Sequence, residues 1–128
     1  MKNLIIVCIL FIVHSTLKAQ VKEVCSINCK QFYELSQKAE NVLIVDIRES
    51  KYYKKGHLNK AVYGGKKEIL KPILDKTPKD TPIFIYCEVG KRSKQAGEWI
   101  LKQGYQTVYQ LSGGVKNWDT KTYPFIKE

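Results

Sequence analysis

Two short runs of apolar and aromatic residues, at positions 42–45 and 82–86, constrain the fold of this chain more than any other feature. They lack the polar alternation of a half-exposed strand and are too short for a buried helix, which is typical of strands buried on both faces of a sheet. Segments with helical spacing lie between and after them, and such alternation indicates a parallel sheet covered on both sides. We therefore predict an α/β fold: a single domain with a mainly parallel central sheet and helices on both faces.

Weaker signals predict further elements in the first half of the chain. Asn28 and Gln31 have the spacing of a capping box, so a helix is expected to follow Asn28. Phe32, Leu35 and Ala39 follow at helical spacing. Additional strands are expected at residues 24–27, 61–63 and 107–111.

Two more helices are expected in the second half of the chain. The first is basic and has Ile69, Ile73 and Leu74 on one side, with an interruption at Pro72 near its start. The second has its apolar side at residues 96–101 and follows the run at 82–86. These helices would cover the predicted sheet.

The first 19 residues have the pattern of a secretory signal peptide. Lys2 is followed by an apolar run at residues 4–13, and Ala19 is a small residue suited to cleavage. That run is half of the roughly 20 residues that a membrane-spanning helix needs, so an uncleaved anchor is the less favoured alternative. We therefore predict a signal peptide at 1–19, a folded domain at 20–128, and an exported protein, periplasmic or secreted, with no membrane association after cleavage.

The charge of the chain limits the classes of partner. With 22 Lys+Arg against 12 Asp+Glu, the formal net charge is +10, which favours anionic ligands. The basic residues are scattered and interleaved with acidic ones, without a recognition motif, so no nucleic-acid partner is predicted. His57 is the only histidine after residue 19, and Cys25 and Cys29 lack a second pair of ligands. No metal site and no cofactor is therefore predicted.

Cys87 directly follows the predicted strand at 82–86, and its surroundings are those of a reactive thiol. Ligands of open α/β sheets bind beyond the carboxyl ends of the strands, where this residue is expected. Gly90 allows a tight loop, and the helix that follows directs backbone N–H groups and its positive end towards the sulfur. Lys91 and Arg92 add two cations. Together these features are expected to lower the pKa of the thiol and to hold an anion beside it.

Three ordered motifs give the chain a resemblance to the single-domain rhodanese family of sulfurtransferases. The resemblance covers residues 20–128 almost completely. The matching segments are residues 45–49 with Tyr53, Gly56, His57, Leu58 and Ala61; residues 87–93 in the form C-x-x-G-x-R-S; and Gly104, Tyr105, Val108, Leu111, Gly113, Gly114 and Trp118. Lys60 and Glu88 depart from the family pattern, and Glu88 places a carboxylate beside the sulfur where a dianionic donor would arrive.

This resemblance implies a reaction and the residues that perform it. Cys87 would be the catalytic nucleophile, taking a sulfane sulfur from thiosulfate or a persulfide and passing it to cyanide or a thiol. The partners would be small sulfur anions and thiols, or a sulfur-acceptor protein. An alternative is a persulfide carrier or binding module without turnover. The substrate-binding residues would be Glu88, Val89, Gly90, Lys91, Arg92 and Ser93.

Other cysteine enzymes fit the loop less well. Phosphatases and arsenate reductases of this kind place five residues between cysteine and arginine, whereas four separate Cys87 from Arg92. A thioredoxin-like enzyme would have a C-x-x-C motif, which the sequence lacks. Asp46, Arg48 and His57 are expected to be structural.

Cys25 and Cys29 are close enough in sequence for either of two states. In an exported protein they could form a disulfide across the turn between strand and helix. They could equally remain free as small buried side chains. The sequence leaves both states open.

Overall fold

The two apolar runs form the centre of a parallel sheet. The computed structural model describes residues 22–127. Its strands are β1 (Cys25–Ile27), β2 (Leu43–Asp46), β3 (His57–Leu58), β4 (Val62–Tyr63), β5 (Ile83–Tyr86), β6 (Val108–Leu111) and β7 (Phe125–Ile126). Its helices are α1 (Cys29–Lys38), α2 (Ser50–Lys55), α3 (Lys67–Asp75) and α4 (Lys91–Lys102), followed by a 3₁₀ helix (Val115–Asn117).

The sheet has the order β1-β6-β5-β2-β4, and all its neighbouring strands are parallel. β3 and β7 form a separate antiparallel pair. In the register of β2 and β5, Val45 lies opposite Ile85 and Asp46 opposite Tyr86. The carboxyl ends of the two central strands therefore meet at one edge of the sheet. The predicted α/β fold with a mainly parallel sheet is confirmed.

Alternation along β5 divides the core into two layers. Ile83 and Ile85 face α3 and α4, where they pack with Leu70, Leu74 and Ile100. Phe84 and Tyr86 face the other way and pack with Phe32 of α1 and Trp118. Because both sides of this strand are covered by apolar side chains, every residue of β5 is buried.

The capping box at the start of α1 is present. The backbone N–H of Gln31 donates to Asn28 Oδ1 at 2.9 Å, and the backbone N–H of Asn28 donates to Gln31 Oε1 at 3.1 Å. The buried face of α1 is formed by Phe32 and Ser36, whereas Leu35 is 44% exposed. Leu35 does not face the core as its helical spacing suggested, because the helix meets the sheet through the face that carries Phe32 and Ser36.

The structure also corrects two expectations about the middle of the chain. α3 is buried through Leu70 and Leu74, one helical turn apart, and Ile69 is 39% exposed. Pro72 lies inside this helix on its exposed side and does not interrupt it near its start. The charged segment after β2, for which no element was predicted, forms α2.

Cys25 and Cys29 are free thiols in the structure, so the disulfide considered from the sequence is absent. The thiol of Cys25 is exposed on β1. Cys29 Sγ accepts a hydrogen bond from the backbone N–H of Asp119 at 3.4 Å. The sulfur of Cys29 therefore points towards Asp119, in the segment that follows the 3₁₀ helix.

The predicted signal peptide at 1–19 lies outside the described residues, so it stays a prediction. In the described part of the chain, no helix has the length and apolar character needed to cross a membrane.

Candidate active site

The loop between β5 and α4 places Cys87 at the edge of the sheet. Cys87 is only 2% exposed, since it follows a fully buried strand. Gly90 adopts a left-handed conformation with φ of 93° and is the residue that precedes α4. A side chain at this φ is strained, so glycine lets the loop turn within three residues of the sulfur.

The chain after β6 fixes the loop from outside. The backbone N–H of Val115 donates to Cys87 O at 2.9 Å, and that of Lys116 donates to Glu88 O at 3.1 Å. A Cβ on Gly114 would lie 2.3 Å from Glu88 O, so only glycine permits this close approach. The backbone of the 3₁₀ helix therefore holds the loop in place, and Gly114 permits the close approach.

Three hydrogen-bond groups surround the sulfur of Cys87. The backbone N–H groups of Gly90 and Ser93 donate to Sγ at 3.1 and 3.3 Å, and Ser93 Oγ lies 3.3 Å from it. Burial by itself raises the pKa of the Cys87 thiol. Hydrogen bonds from the hydroxyl and backbone of Ser93 and the backbones of Gly90 and Val89 outweigh burial and lower the pKa below its ordinary value. The thiolate is thereby favoured.

The cations of the loop contribute less to the thiol than the sequence suggested. Lys91 and Arg92 are exposed, and the main favourable causes of the lowered pKa at Cys87 are hydrogen bonds. Arg92 lines the cavity above the sulfur, whereas Lys91 is not among the residues that line it. Of the two, Arg92 is the one placed to meet a substrate.

A small cavity opens above Cys87, with a volume of about 70 Å³. Because roughly 10–15 Å³ of solvent-accessible space is enough to hold one water molecule, the cavity has room for several. Its walls are Arg48, Glu49, Tyr52, Cys87, Glu88, Val89 and Arg92. The structure therefore places Glu88, Val89 and Arg92 of the predicted loop around the cavity, with Gly90 and Ser93 against the sulfur.

Arg48 belongs to this cavity, although sequence reasoning placed it among the structural residues. Its Nε and Nη2 donate to the buried carboxylate of Asp46, and Nη2 also donates to Gly56 O at 2.6 Å. Its Nη1 lies 3.9 Å from Glu88 Oε2, across the cavity mouth. The sequence signal that could have identified it is its position just beyond the apolar run at 42–45, since ligands of parallel sheets bind beyond the carboxyl ends of the strands.

A buried polar network supports Arg48 from below. The Tyr86 hydroxyl donates to Asp46 Oδ2 at 2.8 Å and accepts from the backbone N–H of Leu58 at 3.1 Å. Burial, followed by the nearby charge of Asp46, raises the pKa of Tyr86, which keeps the hydroxyl protonated as a donor. His57 stacks on the ring of Tyr53, with centroids 4.2 Å apart. Asp46 and His57 thus occupy structural positions.

A second depression adjoins the cavity through Arg92. It has a volume of about 330 Å³, and its walls include Ile47, Leu70 and Trp99. Lys66, Lys67 and Arg92 contribute its cations, and no carboxylate of the described residues lines it. We call this depression the basic groove. It offers an apolar floor with positive charge beside the mouth of the cavity.

Within residues 22–127, no three His, Cys, Asp or Glu side chains come together in an arrangement that could hold a metal ion. The chemistry that the site offers is that of one activated thiol and the anion-binding groups around it.

Comparison with known proteins gives a consistent family and fold. The family model of the rhodanese-like domain matches residues 28–121. The structure is similar to a rhodanese-like domain protein from Staphylococcus aureus, at 22% identity and a TM-score of 0.67, covering 82% of this chain and 100% of that one. A rhodanese-related protein from Thermoplasma volcanium is similar at 23% identity and a TM-score of 0.67, covering 81% and 99%. At these identities the structural likeness shows the fold alone.

Proposed function

Because the chain belongs to the rhodanese-like domain family, we propose that it is a sulfurtransferase that works through a persulfide on Cys87. Its donor is thiosulfate or a persulfide, and its acceptor is cyanide or a thiol. The observation that supports this most is the Cys87 sulfur itself, buried and held by Gly90 and Ser93 beneath a small cavity between two arginines.

In the first half of the reaction, the Cys87 thiolate attacks the outer sulfur of thiosulfate. The S–S bond of the donor breaks, its electron pair leaves with sulfite, and the protein keeps one additional sulfur as a persulfide. Arg48 and Arg92 line the cavity through which the anion arrives. The backbone N–H groups that stabilise the thiolate also lie close to the position where the persulfide charge forms, as in an oxyanion hole.

In the second half, a nucleophile attacks the terminal sulfur. Cyanide leaves as thiocyanate, or a thiolate leaves as a new persulfide, and the Cys87 thiolate is restored. The basic groove supports small anionic thiols as acceptors, because its cations and apolar walls adjoin the cavity through Arg92. We propose that the protein transfers sulfur after export, in the periplasm or outside the cell.

Steady-state kinetics test the proposal. The mature protein is expected to produce thiocyanate from thiosulfate and cyanide with ping-pong kinetics, since donor and acceptor react in separate displacements. A persulfide that forms but is not turned over by cyanide or small thiols would instead support the carrier alternative. No persulfide and no thiocyanate would contradict both readings.

Replacing Arg92 with alanine is expected to impair the use of thiosulfate. The loss of one cation at the cavity mouth should cost about 1–2 kcal/mol, or roughly 5- to 30-fold in kcat/KM at low salt. The loss should shrink as salt rises, because screening already removes part of the attraction. Lys94→Ala is the matched control, since this exposed cation of α4 does not line the cavity. Equal loss with an uncharged sulfane-sulfur donor would contradict an electrostatic effect.

Replacing Glu88 with glutamine is expected to improve the use of thiosulfate. The carboxylate lines the cavity and pairs with Arg48 Nη1 at 3.9 Å, so its removal frees a cation and relieves repulsion. The gain should be about two- to fivefold in kcat/KM at low salt, as expected for a half-exposed pair. Glu98→Gln, on the exposed side of α4, should leave the kinetics unchanged. A Glu88→Gln variant with unaltered kinetics would show that this carboxylate does not act on the donor.

A further inference from the structure

The hydroxyl of Ser93 has more neighbours than it has hydrogens. Its Oγ lies 3.3 Å from Cys87 Sγ, 3.1 Å from Gly90 O and 2.8 Å from the side-chain amide of Gln110. A hydroxyl has one hydrogen to donate and two lone pairs that accept. The group that receives this hydrogen decides whether the hydroxyl stabilises a thiolate at Cys87.

The surroundings of the Gln110 amide determine its orientation. The end that faces Ser93 also lies 3.1 Å from Leu111 O and 3.3 Å from Gly90 O, and the other end lies 2.8 Å from Ser26 Oγ. An oxygen at that end would lie against two carbonyl oxygens, which cannot donate to it, whereas an NH₂ group can donate to both. The NH₂ group of Gln110 therefore faces Ser93, and its Oε1 accepts from the hydroxyl of Ser26.

This orientation restricts the Ser93 hydroxyl. Its oxygen accepts a hydrogen bond from the amide of Gln110, so it does not donate in that direction. The alternative acceptor, Gly90 O, already receives the backbone N–H of Lys94 at 3.3 Å and lies within reach of the same amide. The sulfur of Cys87 is then the neighbour with the greatest need of a donor when it is ionised.

We propose that Gln110 is a positioning residue for the reactive thiolate: it directs the hydroxyl hydrogen of Ser93 to the Cys87 sulfur. Gln110 acts from β6, behind the loop: it does not line the cavity, and its hydrogen bonds go to groups other than the sulfur. Ser26 on β1 holds the amide in the required orientation. The chain of hydrogen bonds therefore runs from the outer strand β1 through Gln110 and Ser93 to the sulfur of Cys87. Gln110 and Ser93 are buried, so the part of this path next to the sulfur is shielded from solvent, whereas Ser26 at its outer end is exposed. The inference rests on the proposed function in that both use the Cys87 thiolate.

The pH dependence of Cys87 alkylation tests this path without requiring sulfur transfer. Iodoacetamide is reacted with the full chain at a series of pH values, and the modification of Cys87 is followed by peptide mass. Ser93→Ala is expected to raise the apparent pKa of the thiol by about 0.5–1 pH unit, the scale of one hydrogen bond. Gln110→Met is expected to raise it by up to the same amount when Ser93 is present. Gln106→Met, an exposed change before β6, should leave the profile unchanged.

The double variant Ser93→Ala/Gln110→Met separates positioning from a general effect on the fold. If Gln110 acts through the hydroxyl, its replacement adds no shift once Ser93 is alanine. A shift of the same size in both backgrounds, or no shift in either, would overturn the proposal.

Ser26→Ala keeps the proposal testable should Gln110→Met fail to fold, because Ser26 is exposed on β1. It is expected to produce a smaller shift in the same direction that is also lost in Ser93→Ala, and an unchanged profile would overturn the proposal. If the unmodified protein transfers sulfur but Gln110→Met leaves the pH profile of Cys87 alkylation unshifted, the positioning path alone is rejected. If Gln110→Met shifts the alkylation profile but the unmodified protein transfers no sulfur, the proposed function alone is rejected.

Discussion

Replacing Cys87 with serine is expected to abolish sulfur transfer while the fold persists. A serine hydroxyl fits the same buried position and accepts the same backbone N–H groups of Gly90 and Ser93. It cannot form a persulfide, so the covalent route is lost. Removal of an essential nucleophile should lower the rate by at least about 10³-fold. Thiocyanate formation from thiosulfate and cyanide measures the loss.

Cys25→Ser is the matched control for this change, because it removes an exposed thiol on β1. It should retain full activity. Thermal melting of both variants should stay close to that of the unmodified protein, which separates lost chemistry from lost structure. Sulfur transfer retained by the Cys87→Ser variant would contradict the assignment of the nucleophile.

Replacing Asp46 with alanine is expected to cause a large loss of stability. The carboxylate is fully buried and accepts from the guanidinium of Arg48, with a shortest distance of 2.7 Å, and from the hydroxyl of Tyr86. Without it, the buried guanidinium of Arg48 loses its buried counter-charge and keeps Gly56 O as an acceptor, and the hydroxyl of Tyr86 loses its acceptor. Removing one side of a buried pair costs about 3–5 kcal/mol of unfolding free energy. Urea denaturation measures the difference.

Asp75→Ala provides the comparison for an exposed pair. Asp75 accepts from Lys71 Nζ at 3.2 Å, one turn apart on α3, and both side chains are exposed. Its loss should cost less than about 0.5 kcal/mol. Similar small losses for Asp46→Ala and Asp75→Ala would show that the network below Arg48 does not hold the site together.

The parallel sheet could be predicted because its central strands carry an unambiguous signal. Residues 43–46 and 83–86 are apolar on both faces apart from the terminal Asp46, and only a doubly covered strand requires this. The position of Cys87 then follows from chain direction alone. The buried faces of single helices were less predictable. Leu35 and Ile69 are apolar but exposed, because each helix packs on the sheet through a neighbouring face.

The parts of the site that sequence reasoning missed depend on contacts between distant residues. Arg48 reaches the cavity because β2 and β5 are neighbours, which the order of strands in the sequence does not state. Gln110 lies 17 residues after Ser93, and its amide meets that hydroxyl only because β6 packs beside β5. Local patterns identified the loop that bears the nucleophile, whereas its supports were set by tertiary structure.

The most direct test of the central claim is the mass of the protein after incubation with thiosulfate. If Cys87 carries the transferred sulfur, the protein gains one sulfur atom, about 32 Da, as the covalent intermediate of nucleophilic catalysis. Peptide mapping should place the gain on Cys87, and cyanide should remove it. An unchanged mass, or a sulfur found only on Cys25 or Cys29, would contradict the account.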